Sequence, residues 1–327
     1  MRVKLHEGPL LPIYAREYTF ISQRNKIYGR GQFLPPTGGI FISRENEFSL
    51  KGQPYKGKLE ILAQSHTYLY INHVELEDYL ISVLGHEMSH SWPLEALKAQ
   101  AVVARTYVLH KMRSHAEKPY DVDGTTNHQV YGGIPENAFL LQSAVRLTEG
   151  EILTYEGMPA QVFFHSSCGG HTASSAEIWG SELPYLPAKK SFYCAPAPVY
   201  RWQFVMSLKE LARRLGLRDL RKIEVVERTS SQRVKNLVIY TRFRRYKLSG
   251  EEIRRKLGPT LLKSTLFVIK QRAGKLQFQG RGYGHGVGLC QWGSRFMAEN
   301  HSMDYRKILE HYFPGTRLIR WIIPKTV

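Results

Sequence analysis

No apolar run in this chain of 327 residues approaches the ~20 that a membrane-spanning helix needs; stretches such as Phe139 to Leu141 are short. The opening MRVKLHEGPLLPIYAREY carries Arg2 and Lys4 but no continuous apolar core of signal-peptide length. Cysteine is scarce. Cys168, Cys194 and Cys290 are the three present, and no CxxC pair exists, which excludes zinc-ribbon spacing. One disulfide with a leftover thiol suits an oxidising compartment, and three buried reduced thiols fit the count equally well. Neither GxxxxGK[ST] nor a strand–GxGxxG–helix unit with a ribose-binding acid is found, so the common nucleotide-phosphate loops are excluded. Internal repeats and low-complexity tracts are absent too.

Acidic residues are outnumbered. Lys and Arg total 46 against 28 Asp and Glu, a net charge of +18. Between residues 201 and 272 there are 20 basic and 6 acidic side chains, so +14 of the +18 lies in one segment. Such a face attracts polyanions, whether nucleic acid or an anionic wall polymer, or it is a solvated surface. With 43% hydrophobic and 12% aromatic residues, the chain has the composition of an ordinary folded protein, long enough to bury a sizeable core.

Residues 1 to about 75 alternate short period-2 runs (KLEILAQ, TYLYINHVEL) with Gly-containing turns and read as β-rich. From Glu75 the period becomes helical: Leu76, Leu80 and Val83 or Leu84 share a stripe whose next position is Glu87. A second helix follows, with Pro93 in its first turn and Leu94, Leu97, Ala101, Ala104 and Val108 on one face. SLKELARRLGL reads as a helix and RVKNLVIYTRF as a strand. SGEEIRRKLG reads as a helix with a capping box, Ser249 to Glu252, and Gly258 at its end. A last helix is expected from about Ser302 to Tyr312, stopped by Pro314-Gly315.

Four features carry potential chemistry. Glu87 places a carboxylate on an apolar stripe and in the last turn of a helix; burial and the helix dipole both push its pKa upward, as a general acid requires. The competing reading is a hydrated helix end, paired with His86 or His90. Arg105 flanks the stripe of the second helix and either turns to the same groove or snorkels at the core edge. Gly282, Gly284, Gly286 and Gly288 alternate with Tyr283, His285 and Val287. They permit either a ligand laid along the backbone or a tight packing crossing. In HSSCGGHT, His165, Ser166, Cys168 and His171 could hold zinc, or Cys168 could be a nucleophile with a His partner, but neither has a specific spacing behind it, and a polar-mouthed Gly-Gly turn is the favoured account.

Taken together, HVELEDYLISVLGHEMSHSWPLEALKAQAVVARTYVL (73–109), DVDGTTNHQVYGG (121–133), TEGEILTYEGMPAQVFFHSSCGGHT (148–172), WGSELPYL (179–186), GRGYGHGVGLCQWGSRFMA (280–298) and HYFPGT (311–316) resemble the sporulation stage II protein D family, which includes the amidase-enhancer domains of wall-lytic proteins. The resemblance spans roughly residues 60–322. It implies a lytic transglycosylase that cleaves MurNAc–GlcNAc bonds of peptide-stripped glycan strands without water, leaving 1,6-anhydro ends. Glu87 matches the family's catalytic glutamate and Arg105 the arginine of the helix after it. Gln100, His165, Ser166, Tyr185, Tyr283, His285 and Gln291 complete the implied substrate-binding set, with no cofactor and no metal. Relatives that bind zinc carry Cys and His where this chain has Asp123, Asn127 and His128, so no zinc is expected at that loop. The family's Tyr-Leu-Lys appears as Tyr185-Leu186-Pro187, with Lys189 and Lys190 displaced. Cys168 and Cys194 match a cysteine pair of some relatives, which implies a disulfide.

The expected architecture is α+β: a β-rich extension (1–72), a mixed catalytic core (73–200 plus 273–323) and an inserted basic α+β subdomain (201–272). The groove is expected between the Glu87 helix, HSSCGG and the Gly-rich stretch. The implied partners are peptidoglycan strands and a cell-wall amidase, in the cell envelope. Without a recognised motif, nucleic acid is not expected. The alternative is a non-catalytic glycan-binding enhancer of an amidase.

Overall fold

A computed structural model of the chain describes residues 1–22, 26–35, 37–64, 66–114, 117–125 and 128–321. The protein is α+β, and two compact units divide it: residues 1–161 with 317–327, and residues 162–316. This boundary falls inside the stretch 73–200 that the sequence reading treats as one core, and the β-rich extension shares a unit with the Glu87 helix.

In the first unit, β1 (Arg2–Gly8), β2 (Ile13–Ile21), β3 (Lys26–Phe33), β4 (Gly39–Ser43), β5 (Glu47–Leu50), β6 (Gln53–Lys56), β7 (Lys58–Ala63), β8 (Tyr68–His73) and β9 (Val122–Asp123) form one sheet. Its order is β6-β5-β2-β4-β7-β8-β1-β9, with β3 on the other edge of β2. A register shift between Ala15 and Tyr18 bends β2, so its start pairs with β5 and its end with β4; an extra residue in one strand has this effect. Alternation aims one face inward: Leu59 and Ile61 of β7 are buried with Phe20, Phe41 and Tyr70.

The helices α1 (Leu76–Glu87), α2 (Leu94–Ser114) and α3 (Phe139–Leu147) follow, with β10 (Glu151–Tyr155) paired antiparallel to Arg317–Arg320. The first two stand where the periodicity places them. Helix α2 is buried on more than its predicted stripe, since Ala96, Ala99, Val102 and Val103 are buried as well as Leu97, Ala101, Ala104 and Val108. Small residues let β10, α1 and α3 approach it from several sides. Among the described residues, no helix is long and apolar enough to cross a membrane.

The second unit holds α4 (Ser175–Trp179), α5 (Leu208–Leu215), α6 (Gly250–Leu257), α7 (Gln291–His301) and α8 (Tyr305–Tyr312). Helix α6 has the capping box, with Ser249 and Glu252 each accepting the other's backbone N–H. Two three-stranded sheets (201–207 with 267–281, and 220–249) enclose a cluster that includes Trp202, Leu211, Leu237, Ile253 and Phe278. The basic segment therefore keeps its charges around an apolar core of its own.

The Gly-rich stretch is a crossing. Phe164 and His165 pair in parallel with Leu289 and Cys290, Ser167 bridges Tyr283, and Gly284 N–H donates to Lys263 O. Gly282, Gly284, Gly286 and Gly288 all have positive φ. A Cβ on Gly288 (φ +73°) would lie 2.1 Å from Phe163 O, the carbonyl that accepts the Leu289 N–H. Close packing, rather than an open rack of N–H donors, is what these glycines serve here. Gly288→Ala should therefore lower stability by at least about 2 kcal/mol in equilibrium urea unfolding. An unchanged midpoint would contradict this account of the crossing.

Candidate functional site

Glu87 is the last residue of α1, half-buried, and its Oε1 accepts the Val130 N–H at 3.1 Å. That bond fixes the carboxylate against the 128–133 segment. The Tyr79 hydroxyl donates to Gln129 Oε1, and the Tyr79 ring stacks on Tyr131 at 5.1 Å. Burial, reinforced by Tyr107, Tyr131 and Glu87, pushes the Tyr79 hydroxyl well above its usual range; burial takes Tyr107 to about 12. These phenols stay protonated beside the acid and present dipoles rather than charge. His86 and His90 bond the α1 carbonyls of Ser82 and Gly85.

Gln100 of α2 is completely buried, and among the described residues neither polar atom of its amide has a hydrogen-bond partner. A buried amide in that state calls for a water or a ligand group. In the 121–128 loop, burial pushes the Asp123 carboxyl up, but hydrogen bonds from Lys4 and Thr125 outweigh it and hold it below the usual range. His128 Nδ1 accepts the Asp123 N–H at 2.9 Å. Asn127 lies outside the described residues.

Arg105 requires a correction. Its side chain is 0% exposed and makes a two-pronged ion pair with Glu77 of α1, at 2.9 and 2.6 Å. It also donates to Glu151 O at 3.0 Å and Val145 O at 3.4 Å. A guanidinium bonded in this way joins α1, α2, α3 and β10, and it could reach a sugar only by breaking the pair. Breaking a buried pair costs about 3–5 kcal/mol. Glu77→Ala, with Glu77 one-third exposed, should cost about 3 kcal/mol in urea unfolding. The double variant Glu77→Leu/Arg105→Met should recover most of that loss. Full stability in the single variant would show that the pair does not hold these elements.

The remaining predicted residues lie in the second unit. His165 and His285 approach edge to face at 5.5 Å, and Ser166 O accepts the Trp292 N–H. Tyr283 sits under Lys263 at 5.7 Å. Tyr185 and Gln291 are buried, and Gln291 Nε2 has no hydrogen-bond partner among the described residues. The Cys168 and Cys194 sulfurs, which the family resemblance pairs, are neighbours 3.3 Å apart and are not bonded to one another in this structure. Cys290 is a third buried thiol beside them. The sequence reading missed Trp179, which is 47% exposed and lies against Phe163 at 4.2 Å and His285 at 5.3 Å. Its only signal was a Trp-Gly pair, which says nothing of exposure. It also missed Arg233, buried under Gly286 and donating to Cys168 O and His171 O. A separate open cleft of about 860 Å³ is lined by Arg201, Trp202, Arg228, Phe267 and Arg281 among others, and it suits an anionic or saccharide chain.

Burial, then Arg233 and Arg254, pushes His285 down to about 4; burial, then His285, lowers His165 well below its usual range. A histidine whose folded pKa is depressed contributes stability that is complete above the unfolded value near 6.5. That contribution is lost as pH falls toward 4. His285 alone should cost about 2 kcal/mol between pH 7 and pH 5. Urea midpoints measured across that range test this, and a pH-independent midpoint would count against neutral, buried rings.

Residues 64–155 match the family model described as stage II sporulation protein, and residues 183–288 match a domain of unknown function. An uncharacterized protein of Brachyspira hyodysenteriae is 36% identical over 287 residues, 86% of this chain and 76% of the relative. Stage II sporulation protein D of Bacillus amyloliquefaciens is 33% identical over 263 residues, 75% of this chain and 74% of the relative. The amidase enhancer of Bacillus subtilis is 32% identical over 348 residues, 90% of this chain but 47% of that protein. With a named member matched across three-quarters of both sequences, the chain belongs to the stage II sporulation protein D family.

Proposed function

We propose that the protein is a peptidoglycan lytic transglycosylase of the cell envelope, acting on glycan strands whose stem peptides an amidase has removed. The observation that carries this reading is Glu87: a half-buried carboxyl at a helix end, held by the Val130 N–H within the segment that matches the family model. Glycoside hydrolysis ordinarily needs two carboxyl groups, one of them to activate water or form the covalent bond. Internal attack removes that need. Glu87 gives its proton to the leaving glycosidic oxygen as the C1–O bond breaks. The muramyl O6 then bonds to C1, and its proton returns to the carboxylate. One acid is thus regenerated in each turnover, and no water is consumed. Gln100, whose buried amide lacks partners among the described residues, is the next group in the first unit with bonds to offer. Trp179, exposed beside His285, has an aromatic face of the kind on which a sugar ring rests.

A second reading is favoured by one observation, the likeness to the amidase enhancer over 90% of this chain. In it the protein binds glycan and stimulates a partner amidase without cleaving. Mass spectrometry of products released from amidase-stripped sacculi separates the two. The wild type should release 1,6-anhydro ends, and Glu87→Gln should release them at least about 100-fold more slowly while still sedimenting with the glycan. If the wild type releases none and yet accelerates an amidase, the enhancer reading replaces the enzyme.

A further inference from the structure

The thiols of the second unit are not scattered. The parallel pairing of Phe164–His165 with Leu289–Cys290 sets His165 directly beside Cys290. The Gly169–Gly170 turn, with φ of +72° and +97°, folds the chain back just after Cys168. Pairing of Gly170–His171 with Lys190–Ser191 then brings in Cys194. As a result a ring nitrogen of His165 and the sulfurs of Cys168 and Cys290 lie within 4.8 Å of one another, and Cys194 Sγ is 3.3 Å from Cys168 Sγ. All four residues are buried.

Two further observations mark the cluster as a ligand set rather than packing. His165 Nδ1 lies 3.1 Å from Val287 O, a carbonyl that can only accept, so the ring proton sits on Nδ1 and the lone pair on Nε2. Nε2 is buried and, among the described residues, has no hydrogen-bond partner. Fixing a histidine by its other nitrogen in this way is how metal-binding imidazoles are oriented. The sulfurs are also supplied with donors. Cys290 Sγ accepts the N–H groups of Cys168 at 3.2 Å and Gly293 at 3.3 Å, and it caps the 11-residue α7. Gly293 is required for this approach: a Cβ there would lie 2.1 Å from Tyr312 Oη and 3.1 Å from Cys290 Sγ. Without a cation, burial pushes the Cys290 thiol well above its usual range, and Cys168 Sγ donates to Ser191 O at 3.3 Å.

We propose that Cys168, Cys194, Cys290 and His165 form a structural site for one thiophilic divalent cation of the zinc class, made of other residues than Asp123, Asn127 and His128. Three sulfurs and one imidazole are a tetrahedral zinc donor set. Zinc–sulfur bonds of ~2.3 Å put ligand atoms about 3.5–3.8 Å apart; His165, Cys168 and Cys290 are already within 4.8 Å of one another, and Cys194, which touches Cys168, has to move in to complete the set. The site would lock HSSCGGH, the Gly-rich crossing and α7 to one another. Its spacing is invisible in sequence because the second thiol is 26 residues after Cys168 and the third 122.

The test uses the full chain, purified without oxidant or reductant, loaded with Zn²⁺ alone and washed with chelator. We expect about one zinc per chain, with zinc-edge X-ray absorption giving three sulfurs at ~2.3 Å and one nitrogen at ~2.0 Å. Co²⁺ in its place should give thiolate charge-transfer absorption, and Cys290→Ser should weaken zinc retention at least about 100-fold. If that variant fails to fold, the wild-type absorption spectrum still decides, because it counts the sulfurs directly. Three reduced thiols that hold no zinc overturn the proposal. So does a metal shell of oxygen and nitrogen alone, or a chain that is two mass units light through a Cys168–Cys194 disulfide and takes no metal.

Discussion

A guanidinium without access to water must be answered in full, and the first unit is arranged around that requirement. Arg105 needs an anion and carbonyl oxygens within reach. It finds the carboxylate of Glu77 on α1, the carbonyl of Val145 on α3 and that of Glu151 on β10. None of these elements can rotate or slide without leaving a buried charge short of partners, which is among the larger penalties a fold can incur. The pair thereby sets the rotation of α1 about its axis. With that rotation set, Glu87 at the helix end meets the Val130 N–H. The residue that the family resemblance assigns to substrate binding supports the acid from a distance, by holding the helix that carries it.

The second unit solves a different problem with a different device. Four glycines with positive φ let the 282–288 backbone pass against Ser167, His165, Arg233 and Phe163 at distances that no side chain would permit. Close passage has two consequences. It buries His165 and partly covers His285, and burial together with Arg233 pushes both rings toward the neutral form. It also brings residues from opposite ends of the unit's sequence to one place, including three thiols that have no local relationship to one another.

Much of the framework was legible in the residues. Helices α1 and α2 followed from periodicity, and the ends of α6 from Ser249, Glu252 and Gly258, because these signals are local: they depend on spacing and on one or two side-chain bonds. Helix α3 was not anticipated, and neither was α7, whose first turn contains Gly293 and follows a Gly-rich run, so propensity argues against it. Only the partners of α7, among them Tyr312 packed against Gly293, make that glycine necessary. The division of the chain after residue 161 was likewise hidden, since no change of composition marks it. Helical position alone singled out Glu87 as a candidate acid, the family resemblance alone implied that it cleaves glycan, and its setting beside Val130 and Tyr79 became visible only in three dimensions.

Glu87 and Arg105 gave the same signal in sequence, an ionisable group on or beside an apolar helical stripe, yet they occupy different situations. The difference lies first in exposure: Arg105 is completely buried and Glu87 is not. Arg105 has partners at Nε and both terminal nitrogens, so its charge is spent on the fold. Glu87 is half-buried at a helix terminus, where the dipole gives a carboxylate no support. Under the proposed mechanism that partial exposure is what lets its carboxyl exchange a proton with a substrate, which a completely buried side chain would not do. Spacing can locate polar groups on apolar faces, but only their exposure and partners separate the reactive ones from those that hold the structure together.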